Sequence, residues 1–158
     1  MSDKSKPTLI LGIGYILMGD EGVGVHAIRS LEHESLPSRV TLLDGGTGGF
    51  HLLSLFQEYD PIILIDATLD GKGAGSVSLT HPKFASDFPK TLSAHDIGLR
   101  DLLESAQLIG ALPELHLVTV SITEIRSMHM KLSEPVERSL SEVTTVVRSL
   151  VGRDTGPT

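Results

Sequence analysis

The sequence contains no cysteine. This absence excludes disulfide bonds, thiolate zinc sites, iron–sulfur clusters and cysteine nucleophiles, because each of them needs a cysteine sulfur. A metal ion bound by this chain would therefore be held by histidine and carboxylate side chains.

Basic residues are few in comparison with acidic ones. The chain has 13 lysines and arginines against 20 aspartates and glutamates, a formal net charge of −7 at pH 7. A protein that binds nucleic acid has to neutralise phosphates with cationic side chains. We therefore expect no nucleic acid among the partners.

Long hydrophobic runs are missing as well. No uncharged apolar stretch approaches the roughly 18 residues that a membrane span needs, so we expect no membrane partner. Lys4 and Lys6 precede the apolar stretch 9–18, as in a signal peptide, but Asp20 and Glu21 follow it without a small-residue cleavage site. The sequence therefore favours a cytoplasmic protein.

The length of 158 residues fits one domain, and we expect residues 1–7 and 152–158 to be flexible ends. Short apolar runs alternate with longer amphipathic ones, which is typical of an α/β protein with a mainly parallel, twisted sheet of about five strands. The predicted strands are Thr8–Leu11, Val40–Leu43, Ile62–Ile65, Ser76–Leu79 and Leu115–Ile122.

Four helices are predicted between and after these strands. Three cover about residues 22–34, 49–59 and 96–109, and the fourth begins near Ser133 and is expected to stop at Gly152. The fourth carries an apolar stripe at alternating spacings of four and three: Val136, Leu140, Val143, Val147 and Leu150. Such a stripe indicates a helix that packs on the sheet.

Acidic residues follow three of the predicted strands. Asp20 and Glu21 lie in the glycine-rich loop after the first strand, Asp44 ends the second, and Asp66 ends the third. Ligands of open α/β sheets bind at the carboxyl ends of the strands, and carboxylates gathered there repel one another unless a cation, a proton or a donor lies among them. Purely structural roles remain open, since Glu21 can favour a helix start and Asp66 can accept backbone hydrogen bonds.

His95 lies in a segment that resembles a helix capping box, formed by Ser93 and Asp96. The positive end of a helix lowers the pKa of a histidine. Only the neutral imidazole can donate a lone pair to a metal, so this position suits a ligand.

A dinucleotide-binding domain is an alternative interpretation of the first loop. Gly12 and Gly14 follow the first strand, and Asp44 stands where a ribose-binding acid would lie. However, Leu17 replaces the third glycine of that fingerprint. Asp20 and Glu21 would also place negative charge where a pyrophosphate meets the helix.

Four motifs, in order, resemble those of the nickel–iron hydrogenase maturation endopeptidases. They lie in residues 9–24, 44–47, 65–67 and 93–99, and the resemblance extends over about Thr8 to Val151. The chain departs from the family at Tyr15, where the family usually has asparagine.

This resemblance implies a three-layer α-β-α fold and an endopeptidase that removes a C-terminal extension from the hydrogenase large-subunit precursor after nickel insertion. The family residues that contact nickel match Glu21, Asp66 and His95. The resemblance further implies that nickel is supplied by the substrate and that no metal is permanently bound. We expect a monomer.

The leading hypothesis is a cytoplasmic peptidase whose nucleophile is water, because the sequence offers neither a cysteine nor a serine nucleophile motif. Either a metal activates this water, or a carboxylate such as Asp20 or Glu21 takes its proton, in an aspartyl-type reaction. Asp66 and His95 complete the candidate catalytic set. The alternatives are a nucleotide or small-anion binding module and a non-catalytic nickel-binding accessory protein.

Overall fold

The structure of the protein is a computed structural model. It describes residues 5–46, 52–88, 97–110, 112–125 and 128–154. The predicted flexible ends fall partly outside these ranges, but residues 152–154 are helical.

All five predicted strands are present in one sheet. Their bounds are β1 Thr8–Gly12, β2 Val40–Asp44, β3 Ile62–Thr68, β4 Val77–Thr80 and β5 Leu115–Ser121. The strand order is β2-β1-β3-β5-β4, with β4 antiparallel to β5 and every other pairing parallel. The predicted α/β fold with a mainly parallel sheet of five strands is confirmed.

The four predicted helices are also present, with different ends. Their bounds are α1 Val23–Leu31, α2 Leu53–Glu58, α3 Ile97–Leu108 and α4 Glu134–Asp154, and a 3-10 turn, Gly19–Gly22, leads into α1. The first helix therefore ends before the predicted Glu34. The predicted start of the second, residues 49–51, lies outside the described residues.

The prediction that Gly152 stops the last helix is wrong. The helix α4 continues to Asp154, and Val151, the residue before the glycine, is buried in the core. Packing of Val151 offsets the helix-propensity cost of glycine, about 1 kcal/mol relative to alanine. The fully buried residues of the predicted stripe are Val136, Val143 and Val147, whereas Leu140 and Leu150 are partly buried.

Alternating strand residues face two separate hydrophobic cores. One core joins Leu9 and Leu64 to Phe56 of α2 and Leu103 of α3. The other joins strand residues such as Ile10 and Ile63 to α1 and α4. Because a strand points successive side chains to opposite faces, the sheet is covered by helices on both sides, as a three-layer fold requires.

Parallel pairing of β2, β1 and β3 brings their carboxyl ends to one edge of the sheet. We call it the carboxyl edge; it receives the loop after β1 and the end of β3. None of the described helices is long and apolar enough to cross a membrane.

Candidate active site

The start of α1 packs directly on the ends of β1 and β3. The backbone N–H of Ile13 donates to the carbonyl of Ile65 at 2.9 Å. A Cβ added to Gly24 would lie 2.4 Å from the carbonyl oxygens of both Ile13 and Ile65, so only glycine fits there. This close approach brings the helix-start residues beside the residue that precedes Asp66.

Glu21 is fully buried in the 3-10 turn before α1. Its Oε2 accepts a hydrogen bond from the backbone N–H of Tyr15 at 3.2 Å. Gly14 lies against the other side of the turn with φ +146°, and a Cβ there would come within 2.4 Å of the Glu21 carbonyl oxygen. The first loop therefore folds around Glu21. Because the donor is the backbone N–H of Tyr15, this hydrogen bond does not depend on the side chain at position 15, where the chain departs from the family.

Asp66 is also fully buried. The prediction that it ends the third strand is wrong, because β3 continues through Ala67 to Thr68, and Asp66 pairs in register with Thr119 of β5. Its Oδ1 accepts a hydrogen bond from the backbone N–H of Ala67 at 2.8 Å. Asp66 thus accepts a backbone hydrogen bond, which is the structural role that the sequence left open for it, and its carboxylate lies near the carboxyl edge.

Asp20 is buried and fastens the first loop to α4. Both of its carboxylate oxygens accept hydrogen bonds from Ser133, one from the backbone N–H and one from the hydroxyl, each at 2.7 Å. Ser133 immediately precedes α4. The sequence marks Ser133 as a helix-start residue, but the two partners are 113 positions apart in the chain, so local patterns do not reveal the contact.

The segment around His129 packs against the first loop, which contains Asp20. The N–H of Gly19 donates to the carbonyl of His129 at 2.6 Å, and the N–H of His129 donates to the carbonyl of Leu17 at 2.9 Å. A cavity of about 80 Å³ lies between this segment and the 3-10 turn. It is lined by Gly19, Asp20, Glu124, His129, Lys131 and Ser133. The sequence did not predict that the segment around His129 forms one side of this cavity, because no motif links His129 to the first loop.

His26 of α1 lies near Asp20 and the Met130 carbonyl. Burial lowers the pKa of His26 below its usual value, the charge of Arg29 lowers it further, and Glu137, Met130 and Asp20 oppose the shift. The lowered pKa favours the neutral imidazole, so His26 is a poor source of positive charge beside Asp20.

The remaining predicted positions differ in what the structure says of them. Asp44 is exposed at the end of β2, and its Oδ1 accepts the N–H of Gly46 at 2.8 Å in a local turn. His95 lies outside the described residues. Among the residues that the structure describes, no three histidine, aspartate or glutamate side chains form a metal-binding group. The complete set of Glu21, Asp66 and His95 therefore stays a prediction.

Comparison with known proteins identifies the kind of protein that carries this arrangement. A family model described as HycI, hydrogenase maturation protease, matches residues 25–149. The chain belongs to the hydrogenase maturation protease family. It is accordingly a peptidase, and the resemblance seen in the sequence is confirmed.

Two individual proteins that are similar to this chain agree with this assignment. The chain is 36% identical over 152 residues to the hydrogenase expression/formation protein HupM of Azotobacter chroococcum, covering 92% of this chain and 72% of that protein. It is 34% identical over 132 residues to the hydrogenase 2 maturation protease of Escherichia coli, covering 82% and 80%.

The fold of a solved family member agrees as well. The hydrogenase maturating endopeptidase HybD from E. coli superposes with a TM-score of 0.84 at 31% identity, covering 95% of this chain and 94% of that one. The nucleotide-binding interpretation of the first loop is therefore set aside in favour of a peptidase.

Proposed function

We propose that this protein is the endopeptidase that removes the C-terminal extension of a nickel-containing hydrogenase large-subunit precursor. The observation that carries this proposal, within a family of hydrogenase maturation proteases, is the burial of two carboxylates, Glu21 and Asp66, on adjoining segments near the carboxyl edge. A buried carboxylate is costly unless donors or a cation compensate its charge.

We further propose that the compensating cation during the reaction is the nickel of the precursor. Glu21 and Asp66 are each positioned by a backbone N–H, from Tyr15 and Ala67. His95 supplies the third ligand in this proposal. Two carboxylates and one imidazole suit nickel, and three protein ligands leave positions open for groups of the substrate. Nickel is then part of the substrate, and it orients the scissile peptide.

Water is the nucleophile in the proposed reaction, since the sequence offers neither a cysteine nor a serine nucleophile motif. A carboxylate can take the proton from this water as a general base, in an aspartyl-type reaction. Both oxygens of Asp20 already accept hydrogen bonds from Ser133. We therefore assign Asp20 a positioning role, holding the first loop on α4, and leave Glu21 as the carboxylate of this loop that meets substrate.

The substitution Asp20→Asn separates these two roles. The amide oxygen can accept the Ser133 N–H and the amide nitrogen can donate to the Ser133 hydroxyl, so the loop is expected to stay fastened. A positioning role predicts that processing falls by less than about tenfold, whereas loss of a general base costs about 100-fold to 10,000-fold. Rates of precursor processing decide this, with circular dichroism to confirm folding. A loss in the second range would return Asp20 to catalysis.

We further propose that the protein is located in the cytoplasm and is a monomer. The apolar stretch 9–18 includes residues 9–12 of β1, an interior strand of the sheet, so it forms part of the fold in this structure, unlike a cleaved signal. Cell fractionation and size-exclusion chromatography test these two points.

The function itself is tested by incubating the protein with a purified hydrogenase large-subunit precursor. The expected result is a shortened large subunit and a released C-terminal peptide, both identified by mass spectrometry. Binding without shortening would favour the nickel-binding accessory protein. No binding and no shortening with precursors of every hydrogenase type in the source cell would contradict the proposal.

A further inference from the structure

Two histidines meet where β4 and β5 continue past their last paired residues. Thr80 lies opposite Leu117 in this antiparallel ladder, so the next opposed pair is His81 and His116. Their Nδ1 atoms lie 2.7 Å apart, and the two rings meet edge to face with centroids 4.8 Å apart. The two histidines are 35 positions apart in the chain, so spacing patterns in the sequence do not reveal this pair.

Glu114 extends the pair into a chain of three groups. Its Oε2 lies 3.1 Å from Nε2 of His116, whose side chain is 14% exposed. A cavity of about 510 Å³ opens beside them, and Lys83 lies on its wall. Both imidazoles are therefore accessible from solvent through one cavity.

At this distance, a proton or a cation must lie between the two Nδ1 atoms. Two lone pairs or two N–H groups would repel at this separation, so one ring donates a proton and the other accepts it. When the Nε2–H of His116 donates a hydrogen bond to Glu114, the Nδ1 of His116 is unprotonated and presents a lone pair to His81. A carboxylate that fixes the second nitrogen in this way is a usual feature of histidines that bind metals.

We propose that His81 and His116 bind a divalent transition-metal cation, of the class of Zn²⁺ or Ni²⁺, through their two Nδ1 atoms. The cation replaces the shared proton, which moves through solvent to Nε2 of the donating ring, so each Nδ1 offers a lone pair. Metal–nitrogen bonds of about 2.0–2.1 Å place two nitrogens roughly 3 Å apart at a right angle and roughly 3.3 Å apart at the tetrahedral angle that zinc prefers. To bind the ion, the two nitrogens therefore move apart by a few tenths of an ångström from their 2.7 Å contact, and the rings tilt so that both lone pairs point at it. Water from the cavity completes the coordination.

The chemistry of this pair limits which ions it takes. No group of three metal-binding side chains is present among the described residues, so the protein supplies two direct ligands with Glu114 behind one of them. Imidazole ligands favour zinc, nickel and copper, while Mg²⁺ and Ca²⁺ prefer oxygen. The positive charge of Lys83 weakens the binding, so we expect an exchangeable ion.

This site is separate from the candidate active site. His116 lies at the amino end of β5, whereas Asp66 pairs with Thr119, three residues further toward the carboxyl edge. The proposed site therefore does not depend on Glu21, Asp66 or His95, and it stands or falls apart from the proposed function.

The probe is Zn²⁺, added to the full-length protein while the ring signals of each histidine are followed by nuclear magnetic resonance. Zinc is expected to shift the signals of both His81 and His116 in one saturable titration. The exposed side chain of His81 makes His81→Ala the safest variant, and it should abolish the shift of His116. His33→Ala, an exposed histidine after α1, is the matched control and should leave both shifts unchanged.

The variant Glu114→Gln tests the outer partner. Loss of such a partner costs about 10–100-fold in metal affinity, and because Glu114 is partly exposed we expect about tenfold weaker zinc binding. Unshifted ring signals in the wild type, or an unchanged His116 shift in His81→Ala, would overturn the proposal. If zinc binds only at the candidate active site, the ring signals of His81 and His116 will not shift, and this outcome too would overturn the proposal.

Discussion

Replacing Asp66 with asparagine is expected to slow precursor processing by about 100-fold or more, since loss of a group that merely orients a metal ligand already costs about 10–100-fold. The substitution removes a buried negative charge and keeps the shape of the side chain. Asparagine Oδ1 can still accept the N–H of Ala67, so the strand is expected to form normally. The measurement is the initial rate of large-subunit shortening with nickel-loaded precursor.

Asp44→Asn is the matched control for this experiment. It makes the same chemical change at the end of β2, where the exposed carboxylate accepts a local hydrogen bond from the N–H of Gly46. Its rate should equal that of the wild type. His95→Ala should resemble Asp66→Asn, because losing either ligand weakens the whole proposed nickel site. A folded Asp66→Asn protein that processes precursor at a near-normal rate would contradict the role given to this carboxylate.

The layout of the sheet could be predicted because it depends on local patterns. Buried parallel strands appear as short apolar runs, and the helices between them appear as amphipathic ones. The edge at which Asp66 lies follows from its place after the run Ile62–Ile65. The length of β3 could not be predicted in the same way, since Ala67 and Thr68 are in the strand through pairing with Val120 and Ser121 of β5.

Contacts between distant residues account for most of what the sequence could not predict at the sites. The hydrogen bonds of Asp20 depend on where α4 begins in space relative to the first loop. The contact of His81 with His116 depends on the register of an antiparallel pair. Neither residue type nor spacing encodes these distances. The motifs, by contrast, point to the family because each is a short local segment.

The second large effect is expected from the metal content of the substrate. Enzyme that has been treated with a chelator and then separated from it should shorten nickel-loaded precursor at the full rate. Nickel-free precursor should react at least about 100-fold more slowly, because misplacement of reacting groups by about 1 Å can by itself cost such a factor. Large-subunit shortening on gels, with nickel measured by mass spectrometry, gives both rates.

The physical reason lies in the ligand set that we propose for the enzyme, Glu21, Asp66 and His95. Two carboxylates and one imidazole, without a thiolate, should bind a divalent ion modestly and exchange it readily. In the proposed mechanism, nickel that the precursor already holds is bound by ligands of both proteins, and this bridge orients the scissile peptide. The variant Asp66→Asn should process both precursors equally slowly, since it lacks one side of the bridge. Equal rates of the wild type on both precursors would rule out the bridge and leave an ordinary peptidase, whose specificity would have to come from the peptide sequence.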